Sequence, residues 1–123
     1  MTTLRSLAFA GLLALPLPAA AETYLLMAEQ EGCIYCARWN EEVGDAYAKT
    51  PEGQAAPLRR RDIRDDTDDI ELARPLHFTP TFVLVQDGVE RSRIEGYPGE
   101  DFFWGLLGRM LDEAGEDTSD HAG

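Results

Sequence analysis

Positive charge is scarce in this chain. Eleven residues are Lys or Arg against 23 Asp or Glu, which gives a formal net charge of −12 and a pI near 4.4. A basic stripe that could neutralise phosphates is therefore missing, and this excludes nucleic acid as the expected partner. The same imbalance argues against docking on an anionic membrane surface. Histidine and cysteine are equally thin, at two residues each. A structural zinc site takes four ligands, and His121 lies in the terminal tail, so Cys33, Cys36 and His77 make a poor set. The acidic run "DDTDD" lacks the spacing and the distal Glu of a calcium loop. No internal repeat and no linker divides the chain, so one domain is expected. Hydrophobic residues make up 44%, enough for a packed core.

The start of the chain is the most apolar part. "MTTLRSLAFAGLLALPLPAAA" has Arg5 in a short leading region, an apolar run over residues 7–17, and small residues at 19–21. This is the layout of a secretory signal peptide. The run is shorter than the roughly 20 residues of a membrane span, and Pro16 and Pro18 interrupt its end. The expected division is a leader over 1–21, a domain over 22–115 and a polar tail over 116–123. Removing the leader takes away Arg5 and no acid, which moves the net charge from −12 to −13. Export to the periplasm, with no membrane insertion after leader removal, would place the cysteines where disulfides persist.

Periodicity gives the elements. Residues 24–28 read as a buried strand. "CARWNEEVGDAYAK" places Cys36, Trp39, Val43, Ala46 and Tyr47 at helical spacing. Residues 50–57 have loop composition, and "LRRRDI" reads as a second strand. A short helix is expected over 70–76, stopped by Pro75. "TFVLV" is the clearest strand, Asp87-Gly88 signals a hairpin, and "RSRIEGY" returns as the last strand. A closing helix has Glu100 and Asp101 in its first turn and Phe103, Leu106, Leu107, Met110 and Leu111 as its stripe. The order β-α-β-α-β-β-α suggests parallel pairing from two βαβ-like steps. The expected fold class is α/β: a mixed four-stranded sheet with helices on both faces.

The two cysteines are the chemical feature. Cys33 and Cys36 form a C-x-x-C at a predicted helix start, directly after a strand and a turn containing Gly32. A structural staple, half of a zinc site, packed free thiols and a redox couple are the competing readings. Closing a four-residue loop contributes only about 2 kcal/mol, which is little reason to place a staple there. Helix-start C-x-x-C pairs lower the first thiol's pKa from about 8.5 into roughly the 3.5–7.5 range. Cys36, one turn further in, is placed to attack a mixed disulfide formed at Cys33. A second cue is Pro80, which follows Thr79 at the entrance of the strongest strand, where it is a candidate for a cis peptide bond.

"GCIYCARW" followed by "FTPTFVLVQDG" resembles the thioredoxin superfamily. The resemblance covers residues 24–111. It implies a compact thioredoxin-like fold, an active-site pair at Cys33 and Cys36, and a substrate groove shaped by Thr79 and Pro80, whose backbone pairs with an extended client segment. The chain departs from ordinary thioredoxin at three points. Ile34-Tyr35 replaces the usual Gly-Pro between the cysteines, Gly32 replaces the preceding Trp, and Met27 stands where a buried acid would serve Cys36. There is also no room for the N-terminal strand and helix of the full fold.

Tyr35-Cys36 is similar to the glutaredoxin pattern. "EQEGCIYCARW", "LARPLHFTPTFVL" and "RIEGYPGEDFFWGLLGRML" resemble the small periplasmic thioredoxin-like oxidoreductases of bacterial sulfur-oxidation gene clusters. That resemblance implies a dithiol–disulfide oxidoreductase that acts on a client protein with a cysteine or disulfide, such as a sulfur-carrier protein. It also implies an upstream membrane thiol-electron donor. No metal or organic cofactor is implied beyond the Cys33–Cys36 disulfide itself. The rivals are a glutaredoxin-like enzyme using glutathione as co-substrate and a non-catalytic binding module. Tyr35 is expected to be exposed as a groove contact, Trp39 to be core or groove wall, and His77 to be a hydrogen-bonded loop residue. Arg59, Arg60 and Arg61 are expected to be strand surface paired with nearby acids.

Overall fold

A computed structural model describes residues 8, 10–15 and 22–119. The cleavage boundary expected after residue 21 and the end of the tail, His121 included, lie outside the described residues.

The chain runs through β1 (Thr23–Glu29), α1 (Ile34–Trp39), a π-helical turn (Asn40–Gly44), α2 (Asp45–Tyr47), α3 (Pro51–Ala55), β2 (Leu58–Asp62), β3 (Thr81–Gln86), β4 (Val89–Glu95) and α4 (Glu100–Glu113). The helix expected after the cysteines is thus one helical run, with the π-turn in its middle. The sheet order is β2-β1-β3-β4. β1 and β2 are parallel, and the other two pairs are antiparallel. Asp87 and Gly88 join β3 to β4 with φ of 55° and 79°, the positive values that a tight hairpin turn of matching twist requires.

Strand alternation separates the two faces. Leu25 and Met27 of β1 and Phe82 and Leu84 of β3 face the helices. There they meet Trp39, Val43, Tyr47, Phe103, Leu107 and Leu111 in one buried cluster. Trp39 is the centre of an aromatic group, with ring centroids 5.3 Å from Phe82 and 5.8 Å from Phe103. Leu106, expected in the α4 stripe, lies at its margin and is exposed, while Phe103, Leu107, Met110 and Leu111 are buried.

The opposite face corrects two expectations. No helix forms over 70–76, so among the described residues all helices pack on one face. Ile70, Leu72 and Leu76 still cover Tyr24, Leu26, Val83 and Val85, but from an irregular segment. From Glu71 onward its backbone groups bond to the hairpin turn and β4 instead of forming a helix. The Glu71 N–H donates to Gly88 O and the Glu90 N–H to Glu71 O, at 2.8 and 2.9 Å. The Glu90 carboxylate accepts the Ala73 N–H at 3.0 Å. Arg93 donates to the carbonyls of Arg74 and Pro75 at 2.7 and 3.2 Å. A short helix over 70–76 broken by Pro75 offers less than this, since helix nucleation is costly and short helices are marginal.

The same segment explains why the second expected parallel step is absent. It leaves β2 beside Glu29, where the Ile63 N–H donates to Glu29 O at 2.9 Å, and reaches the hairpin end at Glu71. It then climbs beside β4 to Pro80, so β3 starts at the end of the sheet that β2 left. β3 is therefore antiparallel to β1, with Ala28 opposite Thr81.

The stretch expected as a loop over 50–57 contains α3. Thr50 caps it, with Oγ1 accepting the Gly53 N–H at 3.0 Å, and Pro51 occupies its first turn.

Candidate active site

β1 delivers the chain to a turn at residues 30–32, in which Gly32 has φ 81°. The Cys33 N–H closes the turn on Gln30 O at 3.2 Å. Cys33 is the N-cap of α1, with extended backbone angles of φ −76° and ψ 107°. Its sulfur takes the place of a capping oxygen and accepts the Cys36 N–H at 3.1 Å. Unpaired N–H groups at a helix start favour negative charge, so this position stabilises a Cys33 thiolate when the pair is reduced. Here the two sulfurs are bonded, with Cα atoms 5.2 Å apart. Cys33 is half-buried, and Cys36 is buried at 4% exposure against the aromatic cluster.

The residues between and around the sulfurs are apolar and open. Ile34 is 73% exposed, Tyr35 54% and Phe78 56%. Tyr35, Phe78, Thr79, Glu95 and Gly96 line one shallow groove, which continues past Tyr97 and Pro98. The fold thus brings Tyr35 and Thr79, 44 positions apart in sequence, to one surface. The Thr79–Pro80 peptide bond is cis. Pro80 is buried and its carbonyl accepts the Gly96 N–H at 2.7 Å, while Thr81 Oγ1 donates to Phe78 O at 2.6 Å. These bonds hold the proline loop from both sides. Tyr97 OH donates to Glu42 Oε2 at 3.0 Å; burial and that carboxylate push the phenol up to about 12, so it stays protonated.

On the other side of the helix start, Cys33 and Cys36 open onto a second groove with Glu29, Gln30 and Asn40. Arg60 Nη1 is 2.7 Å from Glu29 Oε2, and its Nη2 donates to Asn40 Oδ1 at 2.8 Å. The guanidinium carbon lies 5.6 Å from the Trp39 ring centroid. The sequence reading passed over Glu29, Asn40 and Phe78. For Glu29 a signal was present, because alternation along β1 puts it on the face of Leu25 and Met27, beneath α1.

The arginine run is paired as expected: Arg59 with Glu22, Arg60 with Glu29, and Arg61 with Asp69. Arg59 also lies over the Tyr24 ring, 4.1 Å from its centroid. Trp39 is fully buried core. His77 differs from expectation, since it is exposed and makes no hydrogen bond. Among the described residues no group of three or more His, Cys, Asp or Glu could hold a metal ion. No helix among them is long and apolar enough to cross a membrane.

A helix-start disulfide beside a cis-proline loop, on a four-stranded mixed sheet, defines a thioredoxin-like oxidoreductase. A family model described as a thioredoxin-like domain matches residues 17–111, and the chain belongs to that family as a dithiol–disulfide oxidoreductase. Among solved structures it is similar to the periplasmic thioredoxin SoxS from Paracoccus pantotrophus in its reduced form. The two are 55% identical with a TM-score of 0.73, over 76% of this chain and 99% of that one. No curated protein matches the chain.

Proposed function

We infer that the protein is an exported oxidoreductase of the periplasm that reduces disulfides or mixed disulfides on a client protein, a sulfur-carrier protein of sulfur oxidation being the first candidate. The carrying observation is the difference between the two sulfurs. Cys33 is half-buried at the helix start beside exposed Ile34 and Tyr35, while Cys36 is buried behind it. In this reading the Cys33 thiolate attacks the client sulfur and Cys36 resolves the mixed disulfide. The client segment lies along Tyr35, Thr79 and Pro80. A membrane thiol donor returns the pair to the dithiol. The likeness to a periplasmic thioredoxin and the leader-like residues 1–21 support the compartment.

The test is a Cys36→Ser variant used as a trap in a periplasmic extract, with Cys33→Ser as its control. The reading expects a client linked through Cys33 and released by added dithiol. Trapping that is equal in the Cys33→Ser control would overturn it. Turnover that requires glutathione would reassign the protein to the glutaredoxin-like mode.

A further inference from the structure

Most cations of this acidic chain are neutralised by neighbouring acids. Of the eleven Lys and Arg residues, Arg5 lies outside the described residues. Arg59, Arg60, Arg61, Arg64, Arg74 and Arg93 hold ion pairs. Among the described residues Arg38, Lys49, Arg91 and Arg109 hold none, and Arg38 alone of these four stands on α1, the helix that carries Cys36. Arg38 is exposed, and its guanidinium carbon lies 5.7 Å from the centroid of the Tyr35 ring. Tyr35 lines the client groove together with Phe78, Thr79, Gly96, Tyr97 and Pro98. Burial and Glu42 raise the Tyr97 phenol, and Arg38 works against them. Arg38 therefore stands at the rim of this groove, close to two of the rings that line it.

The acids that could neutralise Arg38 are engaged elsewhere or do not reach it. Glu42 follows it by four positions, but a cation ahead of its acid is the poorer order for a helical pair. Glu42 Oε2 instead accepts the Tyr97 OH at 3.0 Å. Glu95, the acid of the groove itself, pairs with Arg74 and lies 3.9 Å from Arg93. Glu41 and Glu100 are exposed and form no ion pair among the described residues. The result is an uncompensated positive charge beside the open apolar surface of Ile34, Tyr35 and Phe78, in a chain of net charge −12. Such a charge gains most when a partner covers it, because its attraction to a carboxylate strengthens as water leaves.

We propose that Arg38 selects the client: the segment that presents its cysteine to Cys33 carries an acidic side chain close to that cysteine, and Arg38 pairs with it. This rests on the reading of Cys33 as the attacking thiol and of the surface along Tyr35, Thr79 and Pro80 as the client groove. Arg38 follows Cys33 by five residues, roughly 7.5 Å along a helix axis. An extended client advances about 3.3 Å per residue. The acid therefore belongs two or three residues from the reacting cysteine. A basic segment would meet the guanidinium as a like charge, and an apolar one would cover it unpaired, so the same residue also rejects wrong clients. Charge complementarity of this kind acts on encounter and selection. Arg38 takes no part in the exchange of sulfurs.

Three synthetic peptides of one sequence test this. Each has a single cysteine blocked as its neutral pyridyl disulfide, and Glu, Gln or Lys at the positions two and three residues to either side. Attack by the reduced protein joins the peptide sulfur to Cys33. The pyridine thiolate leaves with the electron pair, takes up a proton and is read by its absorbance. Rates are compared at about 0.15 M salt, where exposed charges more than about 8 Å apart are largely screened, so the comparison reads the groove and not the net charge. Release that persists in a Cys33→Ser variant overturns the attacking role of Cys33 and the proposal with it. With release dependent on Cys33, the Glu peptide is expected to react about fivefold faster than the Lys peptide, with the Gln peptide between them. Arg38→Gln should bring the three rates together, Arg38→Glu should reverse their order, and Arg38→Lys should keep it. Arg38 is exposed and holds no ion pair, so these variants break no salt bridge of the fold. Arg109→Glu makes the same charge change at an exposed position of α4 and should leave the order unaltered. Rates that do not favour the Glu peptide, an order kept in Arg38→Gln, or an order changed as much by Arg109→Glu would overturn selection by Arg38 while leaving the role of Cys33 standing.

Discussion

Arg93 and Glu90 form an ion pair at 2.6 Å with side chains only 4% and 3% exposed. The pair joins β4 to the segment leading into the proline loop, because Arg93 also donates to the carbonyls of Arg74 and Pro75 and Glu90 accepts the Ala73 N–H. Arg93→Ala should therefore destabilise the fold by about 3 kcal/mol, the low end for breaking a buried pair, since β4 is an edge strand and water can reach the abandoned carboxylate. Denaturant unfolding of the variant measures this. A loss below about 1 kcal/mol would mean that the pair behaves as a surface contact.

The same pair sets an acid limit. Burial works against the charged Glu90 carboxyl, but hydrogen bonds from Arg93 and the Ala73 N–H outweigh it and hold its pKa below the ordinary value. A carboxyl depressed in the folded state contributes stability above its unfolded pKa, about 4.3 for Glu. That contribution is lost as pH falls through the lower folded value. Asp62 and Asp69 are also lowered, by Arg64 and Arg61, but are solvent-screened. The melting temperature should fall between about pH 4.5 and 3, and Glu90→Gln should flatten that fall. An unaltered slope in the variant would assign the acid sensitivity to other groups.

Gly53 packs its α-carbon against the end of α2. A Cβ there would lie 1.8 Å from the Tyr47 carbonyl oxygen and 2.6 Å from its carbon, both backbone atoms that cannot swing aside. Gly53→Ala should cost about 2–3 kcal/mol by overpacking, more than any gain in helix propensity. Thermal unfolding checks it, and a stabilised variant would show that α3 can shift freely.

Tyr47 is buried, and its hydroxyl donates to Ala56 O at 2.6 Å. Burial pushes the phenol well above its usual value, with Glu52 adding to the effect, so the group remains a donor throughout the stable pH range. Tyr47→Phe keeps the ring but leaves that carbonyl without this donor, at a cost of about 1–2 kcal/mol. A neutral variant in denaturant unfolding would imply that another donor takes over.

Cys33 is both the helix-start and the more accessible sulfur. After reduction, a limiting alkylating reagent near neutral pH should modify Cys33 ahead of Cys36, as mass spectrometry of peptides would show. First labelling at Cys36 would reverse the proposed roles.

What the sequence determined by itself is local. The β-branched and aromatic content of "TFVLV", the Asp87-Gly88 turn and the stripe of α4 are each properties of near neighbours in sequence, and all appear in the fold. The C-x-x-C after a strand was legible for the same reason, since the cap that Cys33 provides is a matter of three residues. The tertiary structure decided what depends on partners far along the chain. Residues 70–76 have helical spacing, yet their backbone groups bond to β4, about 20 positions away, and no period in the segment encodes that. The five residues of α3 are too few to show a period, although Thr50-Pro51 marked its start. The contacts of Arg60 with Glu29 and Asn40 likewise exist only once β2 lies parallel to β1, because a charged side chain on a single strand has no defined neighbour until the adjacent strand and helix are packed against it.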